Sequence, residues 1–327
     1  RVKIMATYKE IRGTNIEVVS SDPDNPVTGQ VWFNSTDNVV KGFSGPLVGA
    51  WATGNNLGTA RYGLAGAGIQ TASLAFGGNV PPVTGATELY NGTNWTEVND
   101  LGTARYFLAG AGTSTAALAF GGMHPPGATN TGKTETWNGT NWTEVNDLNT
   151  ARRQISGCGT NTAALGTGGN PTTAICEQWN GTNWTEVNDL STATLQPGLV
   201  GTTTSALNAG FYPTSTSPSV QTWNGTNWSN SPSMNTQRLR AGCAGTKPSA
   251  LIYGGGPDGA PGTFAGTESW NDSAWTEVAD LNNGRNSMAS SGASNTSALA
   301  AGGTPPGALA NTEEWSFSGG TVTFTDS

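Results

Sequence analysis

Short apolar runs separated by turn residues occupy most of this chain, and their order repeats. In one repeat, the apolar run Tyr106–Gly112 is followed by Thr115–Gly121, by a strand that ends at Trp137, and by a last strand over Asn141–Val145. Runs of this length bounded by Gly, Pro and Asn are typical of β-strands, and the repeat has no helical periodicity. Each repeat therefore predicts four consecutive strands, the first of them an innermost strand of small residues.

The four-strand pattern recurs six times with a period of 42 to 47 residues. A Gly- and Trp-rich repeat of this period predicts four-stranded blades around an axis, which is a β-propeller. Large aromatic residues fall on the two outer strands, where a wedge-shaped blade is wide. The tryptophans that mark the fourth strands are Trp51, Trp95, Trp142, Trp184, Trp228 and Trp275.

A Gly-Gly pair closes the second strand in five of the six repeats, and an aromatic residue and a Trp typically flank the next hairpin, as in Gly121-Gly122, Trp137 and Trp142. This arrangement resembles the kelch family over about residues 51 to 327. The resemblance implies an all-β fold, namely a six-bladed kelch-like β-propeller with four-stranded antiparallel blades, preceded by a small β-rich N-terminal module. The fourth repeat departs from the pattern, with Gly210-Phe211 in place of the glycine pair.

The order of strands also predicts how the ring closes. The strand at Trp51 comes before the first repeat, whereas the last repeat, at Trp315, has no fourth-strand Trp of its own. We predict that these two strands pair, with Val322–Thr325 as an alternative for that position or as a further strand outside it. A seventh blade from residues 10–43 is the rival architecture, but that stretch has no Gly-Gly pair. The predicted domains are an attachment module at 1–50 and a propeller at 51–327.

Two charged positions recur together and disappear together. The fourth repeat has Thr194 and Gln221 where the other repeats have Arg and Glu. This joint loss predicts that the two groups are structural ion-pair partners, within or between blades. The Asn-Gly sequences predict tight hairpins rather than glycosylation sites, and the Asn-Asp pairs predict turns. The charged residues are Arg61, Arg105, Arg152, Arg238 and Arg285, with Glu88, Glu135, Glu177, Glu268 and Glu313.

Composition narrows the classes of partner. The 327 residues are 11% charged with a formal net charge of −8, which disfavours a nucleic-acid partner. No apolar run has the length of a membrane span, so no membrane insertion is expected, and no signal peptide is evident. Arg1–Ile4 precede Met5 and are interpreted as a cloning remnant or an unusual upstream start. Cys158 and Cys243 occupy equivalent positions with a blade between them, which disfavours a disulfide.

The sequence has few residues suited to catalysis. His124 is the only histidine, which argues against His-based triads, multi-His metal sites and a copper oxidase. A glycosidase would need paired carboxylates unique to one blade, whereas most acidic residues here repeat. We therefore expect no enzymatic activity, no cofactor and no catalytic residue. No metal site is predicted, although calcium at the axis or between blades stays open.

The first fifty residues form a different module. Thr14–Ser20 predicts a strand, Ser21–Gly29 a loop, and Gln30–Phe43 a hairpin around Ser35–Asn38. The string NPVTGQVWFNSTDN resembles leader segments of marine bacteriophage tail and fibre proteins. The resemblance implies a virion structural protein, extracellular, whose leader binds other tail proteins and whose propeller binds a host-surface glycan or protein. It leaves open whether the chain is a homo-oligomer, as fibre proteins often are.

Loop lengths predict the binding face. The path from each fourth-strand Trp to the next glycine pair is nearly constant, whereas the loops between second and third strands vary. Loops on a constant scaffold are where recognition resides. We predict receptor contacts in Asn79–Gly85, Met123–Lys133, Phe211–Pro218 and Pro257–Gly266, with neutral drift of these loops as the alternative. The chosen side chains are His124, Phe211, Tyr212 and Phe264. The alternative function is a bacterial secreted or surface kelch-type carbohydrate-binding protein or carbohydrate-active enzyme.

Overall fold

The computed structural model describes residues 16–23, 30–43, 48–125, 129–211, 217–256, 264–305, 307–318 and 321–324. All regular secondary structure within these ranges is β-strand, and no helix there is long and apolar enough to cross a membrane. The chain divides into two compact units. The first consists of Arg1–Val48 and Phe317–Ser327, and the second consists of Gly49–Ser316.

The first unit contains a four-stranded sheet in the order β1 (Glu17–Val19), β2 (Val31–Asn34), β3 (Val39–Phe43) and β30 (Thr321–Phe324). The predicted hairpin is confirmed, with its turn at residues 35–38. The prediction that Val322–Thr325 could close or extend the propeller is wrong, because β30 pairs antiparallel with β3. Since this strand has the same alternating pattern as many others, its sequence alone could not identify its partner.

The second unit contains six four-stranded sheets, which we number as blades in the chain order of their innermost strands. Blades one to three, from the innermost strand outward, are β5 (Ala65–Ile69), β6 (Ala72–Phe76), β7 (Thr87–Tyr90), β8 (Trp95–Val98); β9 (Ala109–Thr113), β10 (Ala116–Phe120), β13 (Thr134–Trp137), β14 (Trp142–Val145); and β15 (Ser156–Gly159), β16 (Ala164–Thr167), β17 (Cys176–Trp179), β18 (Trp184–Val187). Blades four to six are β19 (Gly198–Thr202), β20 (Ser205–Phe211), β21 (Ser217–Trp223), β22 (Trp228–Ser231); β23 (Gly242–Thr246), β24 (Ser249–Tyr253), β25 (Thr267–Trp270), β26 (Trp275–Val278); and β27 (Ala289–Ser294), β28 (Ser297–Ala301), β29 (Thr312–Ser318), β4 (Val48–Gly54).

The predicted closure is confirmed, because β4 lies beside β29 as the outermost strand of the sixth blade. The remaining pair, β11 (Met123–His124) and β12 (Thr129–Asn130), forms a small hairpin in the loop of the second blade. The described residues of this unit therefore form an all-β propeller whose first-made strand completes its last blade.

The innermost strands approach each other so closely that they require small residues. A Cβ added to Gly110 would lie 2.5 Å from the carbonyl oxygen of Gly66 on the neighbouring blade. Such an approach is tolerated only by glycine. The strands enclose an axial cavity of about 130 Å³ whose walls are Gly, Ala, Ser, Cys, Leu and Val.

Tryptophans of the outermost strands join neighbouring blades. Trp142 packs against Phe76 of the preceding blade with ring centroids 4.9 Å apart, and its indole Nε1 donates to Thr87 Oγ1 (3.1 Å). Trp95 Nε1 donates in the same way to Thr312 Oγ1 of the sixth blade (2.9 Å). The first and sixth blades are therefore joined by the same kind of Trp–Thr hydrogen bond as the first and second blades.

The tight hairpins predicted at the Asn-Gly sequences are present, and the glycine of each has left-handed backbone, as Gly92 at φ 89°. Four residues separate Tyr90 from Trp95, and Asn91 Oδ1 accepts the backbone N–H groups of Thr93 and Asn94. The polar Asn side chain therefore takes over part of the turn's hydrogen bonding.

Candidate functional site

Five of the six connections that enter an innermost strand are fixed by a buried ion pair. The predicted partners are confirmed within single blades, with N–O distances of 2.6 to 3.2 Å. Burial lowers the pKa of each guanidinium, and the facing carboxylate opposes that change. The pairs are Arg61–Glu88, Arg105–Glu135, Arg152–Glu177, Arg238–Glu268 and Arg285–Glu313.

The same glutamates hold the connection through its backbone. Glu135 Oε2 accepts the N–H of Gly102 (2.7 Å), and Glu268 Oε2 accepts the N–H of Asn235 (2.7 Å). A charge-assisted bond to backbone amides fixes the chain more strongly than a neutral bond. The ion pair therefore positions the residues that follow the arginine, which emerge at the axis.

The loops of varying length and the connections share one end of the blades. In each repeat that has this arginine, the residue that follows it pairs with the first residue after the glycine pair. Examples are Tyr62 with Asn79 and Tyr106 with Met123. The Asn-Gly hairpins lie at the other end of the strands. We call the end that carries the loops of varying length and the connections the variable face. The sequence predicts this arrangement, with the Asn-Gly hairpins at the opposite end.

A closed ring of backbone hydrogen bonds surrounds the axis on the variable face. Six residues, each two positions after the arginine or Thr194, have φ between 44° and 65°. The N–H of each donates to the carbonyl of the preceding member over 2.6 to 3.3 Å, and Gly63 N donates to Ser287 O to close the ring. The members are Gly63, Phe107, Gln154, Gln196, Arg240 and Ser287.

Five ring members are not glycine, so the ring stores backbone strain. Left-handed conformation costs an L-residue about 1–2 kcal/mol. Strain of this kind tends to cluster at ligand sites. Because backbone atoms alone make the ring, its side chains are free to differ, and they include an aromatic ring, two amides and a guanidinium. The ring therefore presents varied chemistry on a constant frame.

Three aromatic side chains gather where the ring meets the first two blades. The ring centroids of Tyr106 and Phe107 are 4.7 Å apart, and those of Tyr62 and Phe107 are 6.2 Å apart. Asn79 Nδ2 donates to the Tyr62 hydroxyl (2.8 Å), which fixes that ring. All three aromatic side chains are partly exposed. Together they offer an aromatic platform on the variable face.

Arg153 lies beside this platform. Its Nη1 donates to Asn130 Oδ1 (3.0 Å) and contacts Met123 Sδ (3.4 Å). Burial and the neighbouring Tyr62 raise the pKa of Tyr106, and the positive charge of Arg153 opposes this rise. We call Tyr62, Tyr106, Phe107 and Arg153 the aromatic–arginine patch.

Arg153 and Arg240 differ from the other cations of the described chain. Every other lysine and arginine described in the structure forms an ion pair with a carboxylate. Arg240 instead donates from Nη2 and Nε to the amide oxygen of Gln154, at 3.3 Å each, when that amide is oriented toward it. Two guanidinium groups without carboxylate partners thus lie on the variable face.

The side chains predicted for receptor contact are distributed over separate blades. His124 lies in the second-blade hairpin with Nδ1 2.8 Å from Pro125 O, and Phe264 is partly exposed near the fifth blade. Phe211 is 1% exposed and packs with Cys176 and Leu190. Tyr212 lies outside the described residues. Among the side chains that are described, no hydrogen bond or ring contact joins these predicted residues.

The aromatic–arginine patch does not follow from the sequence pattern, which predicts an innermost strand over the whole of Tyr106–Gly112. That assignment is wrong at its start, since β9 begins at Ala109 and Phe107 has φ 55°. A left-handed residue interrupts the strand pairing, and the two aromatic side chains then turn to the surface. One feature of the sequence does mark these positions. The residue types at the two positions after each arginine differ between repeats, whereas the rest of the repeat is nearly constant.

No group of three or more His, Cys, Asp or Glu side chains in the described part of the chain could hold a metal ion. The described features of the variable face are instead suited to binding. Aromatic faces stack against apolar surfaces of a ligand, and guanidinium groups bind anions with fixed geometry.

Comparison with known proteins supports the fold. No family model matches the chain, and no curated protein matches it. A solved structure, reported as the structure of YjhT, is similar with a TM-score of 0.66 and 13% sequence identity. The similarity covers 82% of this chain and 99% of that chain. At this identity it shows the fold alone, and the chain is an all-β propeller.

Proposed function

We propose that this protein binds a cell-surface carbohydrate through the aromatic–arginine patch on its variable face. The observation that carries the proposal is the pairing of three partly exposed aromatic rings with Arg153. Sugar rings present apolar C–H faces that stack on aromatic side chains, and their hydroxyl groups suit amide partners such as Asn130.

Arg153 narrows the class of carbohydrate to one that carries an acidic group. It has no carboxylate partner among the described residues, although the net charge of the whole chain is −8. An anionic group on the ligand would form a charge-assisted, bidentate contact with its guanidinium. The aromatic platform then orients the sugar ring beside that contact.

The setting we propose is a virion, with the first unit binding other tail proteins and the propeller displayed outside the particle. The resemblance of residues 25–38 to phage leader segments supports this setting. Tail or portal genes beside the coding gene are expected. A secretion or carbohydrate-utilisation locus there would instead favour a bacterial surface protein.

The binding proposal is tested by Arg153→Ala. A hydrogen-bonded charge contributes about 1.5–3 kcal/mol, so affinity for an acidic oligosaccharide should fall roughly tenfold or more. Binding is measured on an array of acidic and neutral glycans, followed by calorimetry. The matched control is Lys247→Ala, because Lys247 pairs with Asp272 in the Asn271-Asp272 hairpin at the other end of the blades.

Equal binding by Arg153→Ala and the parent protein would refute the assignment of this patch. Tyr106→Ala should also weaken binding of the acidic oligosaccharide, because it removes part of the aromatic platform. We expect the bound sugar to be recovered unchanged, since the proposed function is recognition without turnover.

A further inference from the structure

The fourth blade carries a cavity where the other blades have their ion pair. The cavity has a volume of about 260 Å³. Its floor includes Phe211, Val220 and Gln221, which are 1–2% exposed. Ser191 and Asn230 lie at its exposed rim. The cavity therefore has a buried floor and access from solvent.

Residues that replace the glutamate and its neighbours in this blade border the space. In the first and fifth blades the arginine reaches a carbonyl at the start of the third strand, as Arg238 reaches Gly266 O (2.5 Å), and also the third-strand glutamate. The positions equivalent to Gly266 and Glu268 are Ser219 and Gln221, and both line the cavity. Thr194 is too short to reach them and donates to Gly210 O instead (3.3 Å).

The walls are held in place without the arginine. Gln221 Oε1 accepts the N–H of Ser191 (3.2 Å), while its Nε2 donates to Ser191 Oγ and to Asn230 Oδ1 (3.0 Å). The second glycine of the pair is replaced by Phe211, which pairs with Ser217 beyond a bulge. The blade therefore keeps its connection in position around an open space rather than collapsing into it.

The lining is polar but uncharged. Five serine or threonine hydroxyls, one Asn and one Gln face the space, and Phe211 supplies an apolar wall. Hydroxyl and amide groups offer both donors and acceptors, which matches the alternating groups of a sugar. A charged ligand would be buried without a countercharge, at a large cost.

We propose that the fourth-blade cavity binds one neutral pyranose sugar unit. Liquid water occupies about 30 Å³ per molecule, so the cavity displaces several waters yet is smaller than a typical drug-sized pocket. This site is separate from the aromatic–arginine patch and does not depend on the function proposed for it.

The test fills the cavity by restoring the pattern of the other blades. The double variant Thr194→Arg/Gln221→Glu should fold with an internal ion pair and lose the space. Saturation-transfer difference NMR is recorded with the methyl pyranosides of glucose, galactose, mannose and N-acetylglucosamine. We expect at least one to give signals with the parent protein and with Arg153→Ala, and none with the double variant.

A second variant covers misfolding of the first. Ser233→Trp places a large side chain at an exposed rim position and should also abolish the signals. Absence of binding by all four glycosides to the parent protein would overturn the proposal, as would equal signals in a folded cavity-filled variant. Loss of acidic-glycan binding in Arg153→Ala with these signals retained would separate the two sites.

Discussion

The fourth blade and the other five solve the same structural problem with different chemistry. Five blades tie the connection to the third strand through a buried Arg–Glu pair, whereas the fourth uses Gln221 bonded to Ser191 and Asn230. The four strands form in both cases. The comparison indicates that a neutral network suffices to build a blade, and that the ion pair fills space and fixes the entry to the axis.

The difference has an energetic side. A buried ion pair gains little over a well-packed neutral alternative, because both charges lose their hydration. Removing only one partner, however, leaves the other charge buried and unpaired. Loss of both charges together in the fourth repeat is the outcome that this asymmetry favours.

The largest expected effect comes from breaking one pair. Glu268→Ala leaves the Arg238 guanidinium, 2% exposed, without its carboxylate and frees two backbone N–H groups. We expect a loss of about 3–5 kcal/mol in the free energy of unfolding, measured by urea denaturation. The matched change Gln221→Ala should cost only about 1 kcal/mol. Similar losses at the two positions would contradict the comparison.

A transplant sharpens the same contrast. Arg238→Thr with Glu268→Gln gives the fifth blade the neutral residues of the fourth. We expect the double variant to be more stable than the sum of the single changes implies, by about 2 kcal/mol. A double-mutant cycle in urea measures this coupling. Additive effects would show that the two side chains act independently.

The smallest effect concerns the contact between the third and fourth blades. Trp228 Nε1 is buried with only the weakly accepting thiol of Cys176 at the position where four other contacts between blades have an accepting threonine. Cys176→Thr should raise the free energy of unfolding by about 1 kcal/mol. The reverse change, Thr134→Cys, removes the acceptor of Trp184 Nε1 (3.0 Å) and should lower it similarly. Thermal unfolding of the two variants measures these changes. The changes in the free energy of unfolding should have opposite signs.

The sequence could predict features that repeat, because each copy supports the interpretation of the others. The strand order, the closure by Trp51 and the Arg–Glu pairing all follow from comparing copies. Features that occur once could not be predicted in this way. The partner of β30 depends on the tertiary arrangement of similar strands. The left-handed backbone two positions after each arginine or Thr194 does recur, but only Gly63 marks it with a glycine.

The candidate site fell into this second group. The prediction placed recognition on the loops between second and third strands, whereas the aromatic–arginine patch lies mainly on the connections beside them. The predicted loops contribute only neighbours of the patch, namely Asn79, which bonds to Tyr62, and Met123 and Asn130, which contact Arg153. Loop lengths point to the same face, and its role in binding stays a prediction, whereas the side chains of the patch depend on the conformation of the backbone ring.

The pairing of β4 with β29 also constrains how the chain is made. During synthesis at about 5–20 residues per second, β4 leaves the ribosome before any blade exists, and its partner is translated only after five blades are complete. Such a distant pairing closes slowly because a long loop must first be ordered. Until β29 is available, β4 has no strand partner in the propeller. The last steps of translation, rather than the first, therefore decide when the ring becomes resistant to proteolysis.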